Sequence, residues 1–162
     1  MIMKVIFLDI EGVLVTSRNT SNVATIDSGT AVQPDIFDKV AVQNLDRLLK
    51  ETGAKIVVSS FWRMGIPKAN LILMLKLAGI KNPPVIDVTP FVWDNNLKRT
   101  NRGKEILKWL SQHPFIEEYV VIDDCGYEKL EGVPPERYIE TTMHSGFGTE
   151  DAYQKAVEIL RD

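Results

Sequence analysis

The chain alternates short apolar runs with amphipathic stretches, and that rhythm restricts the fold more than any other feature. Residues 2–8 (IMKVIFL), 54–59 (AKIVVS), 84–88 (PVIDV), 118–122 (EYVVI) and 137–140 (RYIE) read as strands. The first is apolar on successive residues except at Lys4, which suits a strand covered on both faces of a parallel sheet. Helix patterns lie between the runs. One begins near Pro34, carries Ile36, Phe37, Val40, Ala41, Leu45, Leu48 and Leu49 on one face, and stops at Gly53. A very apolar helix covers 66–78 and ends at Gly79, EILKWL continues a third after Lys104, and a last one starts at Thr149. This alternation predicts an α/β fold with a mainly parallel five-stranded sheet and helices on both faces.

The 162 residues suit one domain over 1–162. Residues 16–32 are polar, small and weakly periodic, and read as a long loop or flap. No apolar stretch reaches the roughly 18 residues a membrane span needs. The first strand arrives at Asp9 after eight residues, which argues against a signal peptide and makes the cytoplasm the default location. The single cysteine, Cys125, excludes an internal disulfide and a cysteine zinc site, and its two acidic neighbours make it a poor nucleophile. A net charge of -3 gives no overall pull toward nucleic acid, so polyanion binding needs a local patch. Trp62 reads as half-buried packing, Trp93 and Trp109 as core, and His113 as a helix-end cap.

The polar residues that end the strands carry the chemistry. Asp9 and Glu11 follow the first strand, Ser59 the second, and Asp123 and Asp124 the fourth. In a parallel sheet these tips share the carboxyl edge, where ligands bind. Several acids side by side repel one another unless a cation joins them. Oxygen donors at a tight strand end suit Mg²⁺, and Gly12 lets the chain turn sharply there. The Ser59 hydroxyl can hydrogen-bond a phosphoryl oxygen, and Lys104, opening a helix, can neutralise charge. Together these groups suit phosphoryl transfer to a carboxylate nucleophile.

LDIEGVL, then VVSS, then a lysine before a helix, then VVIDD, resemble the four motifs of the haloacid dehalogenase (HAD) superfamily of phosphohydrolases, in that family's order, from residue 2 to about residue 125. More narrowly, SSFWR at 59–63, the RGKEILKWL helix and GFGT at 146–149 resemble the HAD domain of Swiss Army Knife RNA repair proteins. The resemblance implies a Rossmann-like HAD core without a large cap domain, a Mg²⁺ cofactor, and phosphomonoester hydrolysis through an aspartyl-phosphate. It implies Asp9 as nucleophile. Glu11 stands where the family usually has Asp, as general acid/base, with its main-chain carbonyl on the metal. Ser59 would orient the phosphoryl group, with Ser60 as its fallback. Lys104 matches the family lysine, and Arg102 is its rival for that place. Asp124 would touch the metal directly, while Asp123 would lie behind it or pair with the lysine. The implied metal set is therefore Asp9, Glu11, Asp123 and Asp124.

Arg63, directly after the second motif, is a candidate substrate contact, as are Ser60 and Arg102. An uncapped site in this family goes with large or extended substrates, so the implied partner is a nucleotide or a phosphorylated polynucleotide end. The basic run Lys98, Arg99, Arg102 and Lys104 fits that substrate. Two other readings stay open. One is a non-catalytic HAD-like module that binds phosphate or metal in a nucleic-acid repair assembly, which Glu11 favours. The other is a response-regulator-like phosphoacceptor, whose acidic pair comes first and lysine last, the reverse of this chain.

Overall fold

The computed structural model describes residues 2–20, 34–96 and 98–161. In chain order the elements are β1 (Lys4–Leu8), a one-turn α1 (Ser17–Thr20), α2 (Lys39–Thr52), β2 (Lys55–Val58), α3 (Lys68–Ala78), β3 (Val85–Val88), β4 (Trp93–Asp94), β5 (Arg99–Thr100), α4 (Arg102–Ser111), β6 (Glu118–Asp123), β7 (Tyr138–Glu140) and α5 (Glu150–Leu160). Five strands form one sheet in the order β3-β2-β1-β6-β7, and every pair in it is parallel. The architecture is the Rossmann-like α/β core expected of the sequence. Among the described residues no second folded unit stands over the strand tips as a cap.

Period-two alternation on the central strands builds the two layers of core. Ile6 and Leu8 face one side, packed with Leu45 and Leu48 of α2, Leu71 and Leu75 of α3, and Ala156 and Val157 of α5. Val5 and Phe7 face the other, packed with Ile106 and Trp109 of α4. Trp109 meets Phe7 edge-on, with ring centroids 5.4 Å apart, and its indole N–H donates to Asp87 at 2.8 Å. It is core, as the sequence predicts. His113 stacks on Trp109 at the end of α4 and hydrogen-bonds its carbonyl.

The helices start and stop where side chains satisfy their free backbone groups. Asp38 caps α2 by accepting from the amides of Val40 and Ala41, and Gly53, at φ 67°, ends it in the left-handed region. Asn101 caps α4 by accepting from the Lys104 amide, and Thr149 caps α5 through the Ala152 amide.

Three expectations change. The third helix does not open at Lys104: it begins at Arg102, and β4 and β5 pair antiparallel just ahead of it. Trp93 lies on that ribbon and is 61% exposed rather than core. A two-residue strand has only a cross-strand partner, so its ring has no apolar layer to enter. Of the expected 16–32 flap, 17–20 form α1, and 21–32 lie outside the described residues. Among the described residues no helix is long and apolar enough to cross a membrane.

Candidate active site

Strand register sets the site. Leu8 pairs with Val58 on one side and with Ile122 on the other, so the next residues, Asp9, Ser59 and Asp123, stand level across three neighbouring strands. Two backbone bonds continue the ladder past the strands: the Asp9 amide donates to the Ile122 carbonyl at 3.1 Å, and the Ser59 amide to the Leu8 carbonyl at 3.0 Å. Thr89 extends the row beyond β3 through its amide bond to Val58. β1 is the middle strand of the sheet, and its tip is flanked on both sides.

Carboxylate oxygens of Asp9, Asp123 and Asp124 lie within 4.8 Å of one another. Gly12 makes room for them. A Cβ at that position would sit 2.0 Å from Asp124 Oδ2, and its φ of 74° already suits glycine. The Arg102 guanidinium lies 3.6 Å from Asp9 and hydrogen-bonds Asp123. The Cys125 amide donates to the other Asp123 oxygen at 3.0 Å.

Crowding shows in the titration of the acids. Burial pushes the Asp9 carboxyl up to about 8, Asp123 adds to the rise, and Arg102 draws it back only in part. Burial and then Asp123 raise Asp124 as well, with a hydrogen bond from Asp9 opposing. Burial works against the Arg102 charge, but Asp123 and Asp9 outweigh it and hold the guanidinium protonated. Burial and Asp123 push the Cys125 thiol far up, so it stays an inert thiol, as expected. Three carboxylates against one guanidinium leave two negative charges when all are ionised. Hard oxygen donors with that surplus fit Mg²⁺.

Ser59 and Thr89 are, among the described residues, the buried side chains whose polar atoms have no hydrogen-bond partner. An orphaned hydroxyl in a native interior calls for an explanation. Ser59 sits at the strand tip next to Asp9, and Thr89 one strand further out; a ligand oxygen at this edge would satisfy the Ser59 hydroxyl. Nothing in the sequence singled out Thr89. Ser60 acts within its own loop, where its hydroxyl accepts from the Trp62 amide and starts the turn at 61–64.

Lys104 and Arg63 are not brought to the acids. The Lys104 ammonium turns outward to Asp94 at 2.9 Å and is 46% exposed. Gly103 explains it. A Cβ there would lie 2.6 Å from the Glu131 carbonyl, so the helix start presses on that backbone. This orientation turns 102 inward and 104 outward. Arg102 therefore stands where the sequence reading put Lys104. Arg63 is the second. Its side chain is 2% exposed, pairs with Glu105, and donates to the carbonyls of Thr89 and Ser60 at 2.8 Å each, and of Ser59 at 3.3 Å. Its donors are spent on protein, and it clamps the 59–63 loop to the 89–91 loop and α4 instead of meeting a substrate.

Glu11 is exposed at the mouth, outside the carboxylate cluster. Its Oε1 accepts from the Trp62 indole at 3.1 Å, and the Trp62 ring packs against Phe37. Its side chain is therefore not among the clustered metal donors, which leaves the main-chain carbonyl as its expected contribution. Trp62 gains a role beyond packing, one the sequence did not show because 51 residues separate the pair.

A family model described as the HAD domain in Swiss Army Knife RNA repair proteins matches residues 5–152. No curated protein and no solved structure matches the chain.

Proposed function

The chain belongs to the family of HAD domains in Swiss Army Knife RNA repair proteins, and from that premise we propose that it is a Mg²⁺-dependent phosphomonoester hydrolase acting on nucleotides or phosphorylated nucleic-acid ends. The observation that carries this reading is the convergence of Asp9, Asp123 and Asp124 with Arg102 at one strand edge.

Asp9 and Asp124, with the Glu11 carbonyl, would hold the metal, and Asp123 would stand between it and Arg102. Bound Mg²⁺ supplies charge neutralisation for the carboxylates and the phosphoryl oxygens. The ionised Asp9 carboxylate attacks phosphorus. The bond from phosphorus to the leaving oxygen breaks, and that oxygen takes a proton from Glu11. An aspartyl-phosphate remains. Glu11, now ionised, takes a proton from water as the water attacks the phosphorus, which releases inorganic phosphate and restores Asp9. Arg102 balances charge on Asp9 and the phosphoryl group, and Ser59 donates to a phosphoryl oxygen. Trp62 fixes the direction of Glu11.

The test is turnover of para-nitrophenyl phosphate with Mg²⁺. The wild type is expected to release phosphate, and Asp9→Asn to lose about 10³-fold or more. The engagement of Glu11 by Trp62 gives a second reading some support: a non-catalytic phosphate- or metal-binding module in a repair assembly. Absence of turnover with Mg²⁺, Mn²⁺ or Co²⁺ across nucleotides and phosphorylated oligonucleotides would favour that module.

A further inference from the structure

We propose that the groove between the 61–64 turn and the β4–β5 ribbon binds the unpaired nucleotides adjoining a phosphorylated end, stacking bases on Phe61 and Trp93 and pairing backbone phosphates with Lys98, Arg99 and Lys129. This rests on the phosphatase reading and narrows its substrate to single-stranded nucleic acid.

The groove encloses about 480 Å³. Phe61, Met64 and Trp93 on its walls are 57%, 54% and 61% exposed. Large apolar side chains gathered on one open surface mark a binding site. The chain carries a net charge of -3, yet the charged groups lining the groove are all basic: Lys98, Arg99, Arg102 and Lys129. A ligand that offers flat apolar faces and regularly spaced anions is a nucleic-acid strand, and faces free to stack require unpaired bases.

Its inner end is the site itself. Arg102 and Cys125 line the groove and also contact Asp123, and Arg102 lies 3.6 Å from Asp9. A strand lying in the groove therefore delivers its terminal phosphate to the nucleophile. Hydrogen bonds hold the ribbon that presents Trp93. Asp94 takes the Lys104 ammonium at 2.9 Å and the Asn101 amide group at 3.3 Å, while the Asn101 main-chain N–H donates to Val92. Lys104, turned away from the acids, thus braces the stacking platform. Asn101 also caps α4, so one residue fixes both Arg102 and the ribbon.

The experiment uses the whole chain and a fluorescein-labelled single-stranded oligonucleotide of about eight nucleotides without a terminal phosphate, read by anisotropy. The wild type is expected to bind it more tightly than the matching duplex. Trp93→Ala and Phe61→Ala should each weaken binding by about tenfold or more. Trp93→Phe keeps a stacking face and should stay within about threefold of wild type. Arg99→Glu should flatten the salt dependence by roughly one phosphate contact. In kinetics, the ratio of kcat/KM on a phosphorylated oligonucleotide to that on para-nitrophenyl phosphate should fall about tenfold in Trp93→Ala. Binding untouched by these substitutions, or equal binding of duplex, overturns the groove. A concentration-dependent dimer abolished by Trp93→Ala overturns it too and gives the face to a second copy. Turnover of para-nitrophenyl phosphate without strand binding sinks the groove and leaves the phosphatase. Strand binding that depends on Trp93, without turnover of any ester, sinks the phosphatase and leaves the groove.

Discussion

Arg102 reaches Asp9 at 3.6 Å from the first turn of α4, while Lys104, two residues on, pairs outward with Asp94. The cation of the site is thus a guanidinium. Arg102→Ala is expected to lower kcat/KM by about 10²-fold or more, because it removes charge aimed at the reacting phosphoryl group. Lys104→Ala should stay within about threefold on para-nitrophenyl phosphate, since an exposed ion pair contributes little. Steady-state kinetics of both variants checks the order. The opposite order would mean that the ammonium reaches the site in the working enzyme.

Arg63 and Glu105 form an ion pair whose two side chains are each 2% exposed. Removing one partner strands the other charge in the interior, a loss of about 3–5 kcal/mol. Arg63→Ala and Glu105→Ala should therefore each lower the urea midpoint strongly, and the double variant should lose less than the two singles added together. A variant of ordinary stability with only a raised KM would return Arg63 to the substrate side of the site.

The carboxylate cluster ties stability to pH. Burial pushes the folded-state value for Asp9 to about 8, far above the ordinary 3.8. The folded protein then holds more protons than the unfolded chain between those values. Without metal, the Asp9 contribution is full below about pH 4, falls as pH rises through the window, and is gone above about pH 8. A metal competes with that proton, so Mg²⁺ should raise the melting temperature more at about pH 9 than at about pH 6. Scans in Mg²⁺ and in EDTA check it. An equal increment at both pH values would separate the metal from Asp9.

Trp62 holds Glu11 by one hydrogen bond, 3.1 Å long. Trp62→Phe keeps a ring against Phe37 and removes only the donor. The expected result is a kcat lowered about three- to tenfold with KM unchanged, against roughly 10²–10⁴ for Glu11→Gln. Glu11→Asp should retain turnover, and complete loss would show a pocket built around the longer acid. A Trp62→Phe enzyme identical to wild type would leave the indole a packing residue.

The row Asp9, Ser59 and Asp123 was legible because each follows an apolar run, and parallel pairing turns such runs into one shared edge. The sequence reading set Lys104 ahead of Arg102 as the helix cation, and a signal it did not use favours Arg102. Arg102, Glu105, Ile106 and Trp109 are spaced i, i+3, i+4 and i+7, one face of a helix, and the last three are buried. Lys104 shares its face with Lys108, outside that stripe. Read that way, the periodicity selects Arg102. Arg63 and Trp62 were not legible, because Glu105 and Glu11 lie 42 and 51 residues away from them in the chain. The ribbon escaped notice because two-residue strands with polar neighbours leave no period to read.

In the proposed reaction Asp9 takes the phosphoryl group. Mixing enzyme with Mg²⁺ and a phosphorylated substrate, quenching in acid within one turnover and mapping peptides by mass spectrometry shows where that group lands. The expected result is one added phosphoryl group on the peptide carrying Asp9, absent from Asp9→Asn. A phosphoryl group on another residue, or full turnover by Asp9→Asn, would contradict it.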